Sequence, residues 1–250
     1  MRTSKYLAIA WIGVGLAASA PAATPKGDYV LLDQGVAAGQ SFVVLGTLAL
    51  DGAGNAKGIE VFRSGGASIV ADVKGVYAAT TANSGTLILT ATPQGVDEPE
   101  SFTQSYRYLI TDDNELYAVR TDNGVLSTST LTFANAAPNK GSLALNELDR
   151  DGKTGQASAL LAQLGLDGNG AVSGKAFALR LNGTAEAAVS GTYTAPASGL
   201  GVLELTLTTK EDDGNEQTAV YRYRTAATRD GVKAIRMDPG VVAIANIEIQ

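Results

Sequence analysis

Cysteine and histidine are both absent from the 250 residues, and tryptophan occurs once. Without cysteine no disulfide can brace the fold, and without histidine the commonest general base and metal ligand is missing. Ser–His and Cys–His nucleophile pairs are therefore impossible, and a zinc site would have to be all-carboxylate. Aromatic residues make up 6% of the chain and charged residues 18%, which leaves few rings for stacking on sugars. Basic residues number 19 against 25 acidic ones, and no basic cluster offsets that balance. Such a surface repels nucleic acid and anionic membranes.

Long apolar runs are missing too, with one exception at the start. Arg2 and Lys5 precede an apolar stretch over residues 6–18, and Ala20-Pro21-Ala22 forms a small-residue cleavage site before Ala23. This is the pattern of a secretory signal peptide over residues 1–22. The run is short for a membrane span, which needs about 20 residues. No cysteine follows it to carry a lipid, and no arginine pair marks the twin-arginine route. The expectation is export by the general secretory route to the periplasm or the cell exterior, with no membrane span in the mature chain. Without Arg2 and Lys5 the basic residues fall to 17 against 25 acidic, a net charge of −8.

What the chain has is glycine, 29 residues of it, set among Val, Thr, Leu and Ala. Alternating apolar runs separated by Gly, Asn and Asp predict short strands joined by tight turns. In the first half these strands fall over residues 29–32, 41–50, 57–63, 68–79, 85–92, 101–111, 115–121 and 125–133. Residues 23–27 are expected to be a loose leader, 34–40 a Gly/Ala loop, and 134–140, with Pro138, a linker.

The second half repeats the first. Gly75-Val76-Tyr77 and Gly85-Thr86-Leu87-Ile88-Leu89 recur as Gly191-Thr192-Tyr193 and Gly201-Val202-Leu203-Glu204-Leu205, both 116 residues on. Leu32-Asp33, Leu45, Leu50-Asp51-Gly52 and Gly58 also recur at 116, as Leu148-Asp149, Leu161, Leu166-Asp167-Gly168 and Gly174. So do Arg120 and Asp122, as Arg236 and Asp238. Tyr106-Arg107-Tyr108 matches Tyr221-Arg222-Tyr223 at 115, which implies one residue fewer in the loop before it. The repeat also decides residues 157–163. They look helical by propensity, but their partners at 41–47 are β-branched and aromatic, so both are expected to be strands.

A period near 116 suits a small domain rather than a solenoid. The fold class is all-β: a tandem duplication of an antiparallel meander of seven to eight strands, expected as two small β-barrels or sandwiches at 23–135 and 136–250. One merged sheet shared by the two copies is the alternative. Closure into a barrel removes exposed edges.

Candidate binding residues come from what both copies keep. In Tyr106-Arg107-Tyr108 and Tyr221-Arg222-Tyr223 the tyrosines share one strand face and the arginine takes the other. Arg107 and Arg222 could clamp a carboxylate in a cavity, or pair across strands on the surface. Arg120 and Arg236 carry the same two readings, and four arginines present in both copies point first to a buried ion-pair network. The acidic turns do not make a calcium loop. Asp149-Arg150-Asp151-Gly152 begins like one, but Leu160 stands where the bidentate Glu belongs. Asp51-Gly52-Ala53-Gly54, Asp167-Gly168-Asn169-Gly170, Asp112-Asp113-Asn114 and Asp212-Asp213-Gly214 are explained as turns, and Asn182-Gly183-Thr184 fits a glycosylation sequon only weakly. No catalytic residue, cofactor or metal ligand stands out.

The Gly-x-Tyr turn followed by a glycine-led Gly-x-Leu-x-Leu strand resembles secreted bacterial proteins of uncharacterised function, over about a third of the chain. Its residues are structural and imply no activity. The strand number is loosely similar to lipocalin-type barrels. The functional expectation is a non-enzymatic exported binding or interaction protein, taking a small apolar ligand or a protein partner. An exported enzyme using a carboxylate pair on polysaccharide or lipid is the alternative, and an outer-membrane β-barrel is a further one.

Overall fold

The computed structural model describes residues 24–111, 113–151, 157–180, 183–195, 199–210 and 215–250. The expected signal peptide lies outside them, as do Asp112, the 212–214 turn, Asn182 of the sequon, and residues 152–156 of the calcium-like loop.

Among these residues sixteen strands follow one another. The first eight are β1 (Lys26–Ala37), β2 (Gln40–Asp51), β3 (Asn55–Ser64), β4 (Ala67–Thr81), β5 (Ser84–Pro93), β6 (Phe102–Ile110), β7 (Leu116–Arg120) and β8 (Val125–Phe133). The second eight are β9 (Lys140–Asp151), β10 (Ala157–Asp167), β11 (Ala171–Arg180), β12 (Gly183–Thr194), β13 (Gly201–Lys210), β14 (Glu216–Thr228), β15 (Gly231–Arg236) and β16 (Val241–Ile249). Each set is an antiparallel meander whose first strand pairs with its last, so the chain forms two closed eight-stranded barrels. Residues 157–163 are strand, as the duplication required.

Alternation fills the barrels. Tyr29, Leu31, Leu48, Leu50, Val73, Leu87 and Leu89 point inward in barrel 1, and Leu143, Leu145, Leu164, Val189, Leu203 and Leu205 do so in barrel 2. Eight strands leave an interior that side chains can occupy. These do, and the Tyr29 and Phe133 rings stack at 4.5 Å near one end of barrel 1.

The glycines of the repeated motif have a steric role. At Gly75 and Gly191 a β-carbon would overlap the backbone carbonyl of the neighbouring strand, Ile88 and Glu204 respectively. Gly58 and Gly174 stand in the same relation to Thr47 and Gln163. The Gly-x-Tyr turn also ties two hairpins together: the Tyr77 N–H donates to Gly54 O and the Tyr193 N–H to Gly170 O, both at 2.8 Å. The carbonyls they use belong to turns stapled by Asp51 and Asp167, whose Oδ1 atoms accept the Ala53 and Asn169 N–H groups at 2.7 Å. The Asn55 side chain, donating from Nδ2 to Asp51 Oδ2 at 2.6 Å, and the backbone N–H bonds of its own turn hold the Asp51 carboxyl down at about 2. Gly191→Ala is expected to cost about 1–3 kcal/mol through overpacking. Gly165→Ala, where a β-carbon would meet nothing nearer than 3.8 Å, is the matched control, and urea midpoints compare the two.

Three expectations are corrected. Residues 34–40 are not a loop. β1 runs on to Ala37 and turns through Ala38 (φ 49°) and Gly39 (φ 79°), a two-residue connection with both positions left-handed. Gly35 is there because its α-carbon lies against β8, where any β-carbon would strike Leu126 O. Residues 23–27 are not a loose leader either, in so far as they are described: Lys26 opens β1, and Pro25 O accepts the Tyr77 hydroxyl at 2.7 Å.

The third correction concerns the repeat itself. Tyr106 pairs with Arg120, and Tyr223, not Tyr221, pairs with Arg236. The same register holds in the hydrogen bonds: the Thr121 N–H donates to Ser105 O and the Met237 N–H to Arg222 O. Structural equivalents in β6 and β14 are thus 117 apart, not 115. The second copy has one residue more before this strand and one fewer after it.

The barrels pack side by side. Val30, Val43, Leu45 and Val61, on the outside of β1–β3, meet Ala226 and Ile235 from the outside of β14 and β15. Arg63, buried in this joint, donates from Nε to Val241 O at 2.8 Å and from Nη2 to Asp238 O. The chain after β8 enters the joint as well, with the Asn135 N–H donating to Ala227 O at 3.0 Å.

Candidate functional site

Each barrel buries a polar cluster around one arginine. In barrel 1, Arg120 donates from Nε to Asp122 Oδ2 at 2.7 Å and lies 3.7 Å from Asp33 Oδ2. Asp33 accepts the Ser129 hydroxyl at 2.9 Å. The Tyr106 hydroxyl sits between Asp33 Oδ2 at 3.2 Å and Gln104 Oε1 at 3.1 Å. Gln104 passes the chain on, its Nε2 donating to Glu60 Oε1 at 2.8 Å. Glu60 Oε2 has no hydrogen-bond partner among the described residues. Burial pushes the Glu60 carboxyl up to about 7, against the help of Gln104 and Arg120 and with Asp33 adding to it. Burial raises Asp33 as well, more than its serine neighbours and Arg120 lower it.

Barrel 2 sets three carboxylates on its arginine. Arg236 Nη1 lies 3.0 Å from Glu147 Oε1 and 2.9 Å from Asp149 Oδ2, and Nε donates to Asp238 Oδ2 at 2.7 Å. Its guanidinium sits 3.9 Å from the centroid of the Tyr221 ring, a cation–π contact in a partly desolvated site. Burial alone would lower Arg236, but Glu147 and Asp238 hold it raised. Burial raises Glu147 despite Arg236. The arginine stands where a cation would have to bind. Among the described residues no group of three or more Asp or Glu is arranged to hold a metal ion.

The structure divides the candidate residues. Arg120 and Arg236 are the buried ion-pair centres, with Tyr106 over one and Tyr221 over the other. Tyr223, the structural equivalent of Tyr106, faces Glu147. Tyr108 is buried, its hydroxyl against Gly85 and without a hydrogen-bond partner among the described residues. Arg107 and Arg222 point outward; Arg107 joins neither cluster, whereas Arg222 touches the edge of the barrel 2 cluster, its Nη1 3.9 Å from Asp238 Oδ1 and its backbone N–H donating to Asp238 Oδ2 at 3.3 Å. Arg222 makes a cross-strand surface pair with Glu204 at 2.9 Å. Of the calcium-like loop, Asp149 is committed to Arg236 and to the Ser158 hydroxyl at 2.6 Å. Glu60, Gln104 and Glu147 had no signal in the repeat, because each stands opposite an unlike residue in the other copy. Asp33 and Asp149 had one: an aspartate at an inward position in both halves.

These clusters do not form an open catalytic cleft. Asp33, Glu60 and Glu147 are within 1% of complete burial, and their carboxylates are engaged by side chains of their own barrel.

The outer surface is different. A groove of about 680 Å³ crosses the outside of barrel 1 from β5 to β1, with Leu32, Leu109, Tyr117 and Val119 among its lining and Arg107 at its side. Arg107 pairs in register with Thr86 and Val119, and no carboxylate engages it among the described residues. Barrel 2 exposes an apolar patch on adjacent strands, where Leu161 pairs with Phe177 and Leu179 lies two residues along. Nothing in the sequence distinguished these outward apolar positions from those that close the joint.

No protein-family profile matches the chain, and no curated protein does. Among solved structures the chain is similar to a porin-like protein from Bacteroides uniformis, at 12% identity over 92% of this chain and 100% of that one, with a TM-score of 0.15. That superposition is too slight to bear on fold or function.

Proposed function

We propose that this is an exported, non-enzymatic interaction protein that works through the outside of its barrels. The reading takes residues 1–22 as a removed leader and 23–135 and 136–250 as two duplicated units. One observation carries it: the barrel interiors are filled with side chains, while an apolar groove with an unpaired arginine lies open on the outer face of barrel 1. Large exposed apolar patches mark interaction surfaces. The occupant favoured is a protein surface, because the groove spreads over several strands and continues towards the crevice between the barrels through Leu32 and Gln34.

The alternatives fit less well. Membrane barrels are apolar outside and polar inside. Here each core is largely apolar around its one polar cluster, and the outer faces carry pairs such as Lys175–Glu186 and Arg222–Glu204. No helix among the described residues is long and apolar enough to cross a membrane. An enzyme using two carboxylates would need them in an open cleft, whereas the clustered ones are buried.

Native mass spectrometry on protein extracted gently from its own host tests the proposal. The chain is expected to begin near Ala23 and to carry a protein-sized partner that Tyr117→Glu removes. An intact Met1 would overturn export. A small molecule retained equally by the wild type and Tyr117→Glu would place the ligand inside a barrel and overturn the reading.

A further inference from the structure

The joint between the barrels is head to tail. Barrel 1 contributes the outside of β1–β3, and barrel 2 contributes the outside of β14–β16. Because the barrels are copies, each also owns the half that it does not use. The counterparts of Leu32, Leu45 and Val61 in barrel 2 are Leu148, Leu161 and Phe177, each 116 residues on. In barrel 1 the counterparts of Ala226, Ile235 and Val242 are Leu109, Val119 and Leu126, 117 or 116 residues back. Leu45 and Ile235 are completely buried in the joint, whereas Leu148 is 72% and Leu126 80% exposed. The groove on barrel 1 and the patch on barrel 2 are the two free halves of one interface.

We infer that the partner of these faces is a second copy of this chain, docked so that the β9–β11 face of one molecule meets the β6–β8 face of the next. This rests on the interaction reading above and names its partner. A heterologous contact of this kind does not close on itself in a dimer, so it propagates into a chain or a ring. The interface is already realised once inside the molecule, which supplies its geometry.

Charge supports the pairing. Arg224, the structural equivalent of Arg107, lies in the joint beside Thr47, Ile59, Val61 and Val70 of barrel 1. Val70 corresponds to Glu186 in barrel 2. In the intermolecular contact the unpaired Arg107 of one copy therefore falls beside Glu186 of the next, which in the isolated molecule has only a solvent-exposed contact with Lys175 at 3.9 Å. The Arg63 clamp is not repeated, since Leu179 takes its place. The contact between copies is accordingly weaker than the tethered joint, and it forms with rising concentration.

The test is sedimentation velocity on the mature chain across a wide concentration series. The wild type is expected to shift from monomer to larger species. Phe177→Glu and Val119→Glu, each blocking one face, are expected to stay monomeric, while Lys57→Glu, on an exposed position away from both free faces, assembles like the wild type. All are checked for native circular dichroism, since the altered positions are exposed. The decisive sample is the mixture of Phe177→Glu with Val119→Glu. Each variant retains one good face, so the mixture yields dimers and nothing longer. A wild type that stays monomeric at every concentration overturns the self-partner, as does a Phe177→Glu protein that assembles normally. If the wild type stays monomeric while Tyr117→Glu still strips a partner from host-extracted protein, the interaction reading stands and the self-partner falls.

Discussion

Arg236→Ala is expected to lower the stability of the protein by about 3–5 kcal/mol, the usual cost of leaving buried charges unpaired. Arg236 touches Glu147, Asp149 and Asp238 within 3.0 Å and covers the Tyr221 ring. Removing it leaves three carboxylates facing one another in a space that water barely enters. Glu147, which burial already raises, will take up a proton instead, so the variant is expected to recover part of its loss as pH falls towards the carboxylate range. Urea midpoints measured at neutral and acidic pH check both parts. Arg222→Ala is the contrast. Its pair with Glu204 is a surface contact with both side chains about half exposed, its guanidinium reaches Asp238 only at 3.9 Å, and its loss is expected to cost less than about 1 kcal/mol. If the two variants lost equal stability, the buried cluster would not be what holds barrel 2 together.

The second large effect is on pH. Glu60 is completely buried, with Gln104 on one oxygen and no partner on the other among the described residues, and Asp33 and Arg120 are the charges that face it. Its carboxyl is pushed from 4.5 up to about 7 in the folded chain. Between those values the folded protein keeps a proton that the unfolded chain has released. Stability therefore falls as pH rises through this window, by about 3 kcal/mol in all, and is flat in this group's contribution above it. Glu60→Gln mimics the protonated acid. It is expected to match the wild type near pH 4.5 and to exceed it above pH 7 by up to about 3 kcal/mol. Burial raises Asp33 and Glu147 in the same direction, so a shallower slope remains in the variant. Urea titrations at a series of pH values decide it, and parallel profiles for the two proteins would overturn the assignment.

Several features of the fold were legible because they are local. The turns at Asp51–Gly54 and Asp167–Gly170 are recognisable from residue type, since the aspartate bonds the backbone only two and four positions ahead. Alternation over ten or more residues identifies a strand whatever it pairs with. The duplication doubled each such signal and outweighed the helical propensity of residues 157–163. The same local reading failed at Gly35, because the glycine answers to a strand almost a hundred residues away.

Sequence alone determined an all-β chain, its duplication, the inward positions of most strands, and the absence of cysteine and histidine chemistry. It placed Tyr-Arg-Tyr correctly in alternation and wrongly in register. The reason is the two-residue period of a strand. Sliding by two keeps every side chain on its face, so identity between Tyr106-Arg107-Tyr108 and Tyr221-Arg222-Tyr223 could not reveal which tyrosine meets the arginine. Only ladder pairing with β7 and β15 decided that. The tertiary structure alone also decided which arginines are buried, because Arg120 meets Asp33 across 87 residues of chain. The outer faces are the last case. Leu45 and Leu161 are the same residue at equivalent positions, and one is buried while the other is half exposed. What separates them is the docking of one barrel on the other, and no local pattern encodes that.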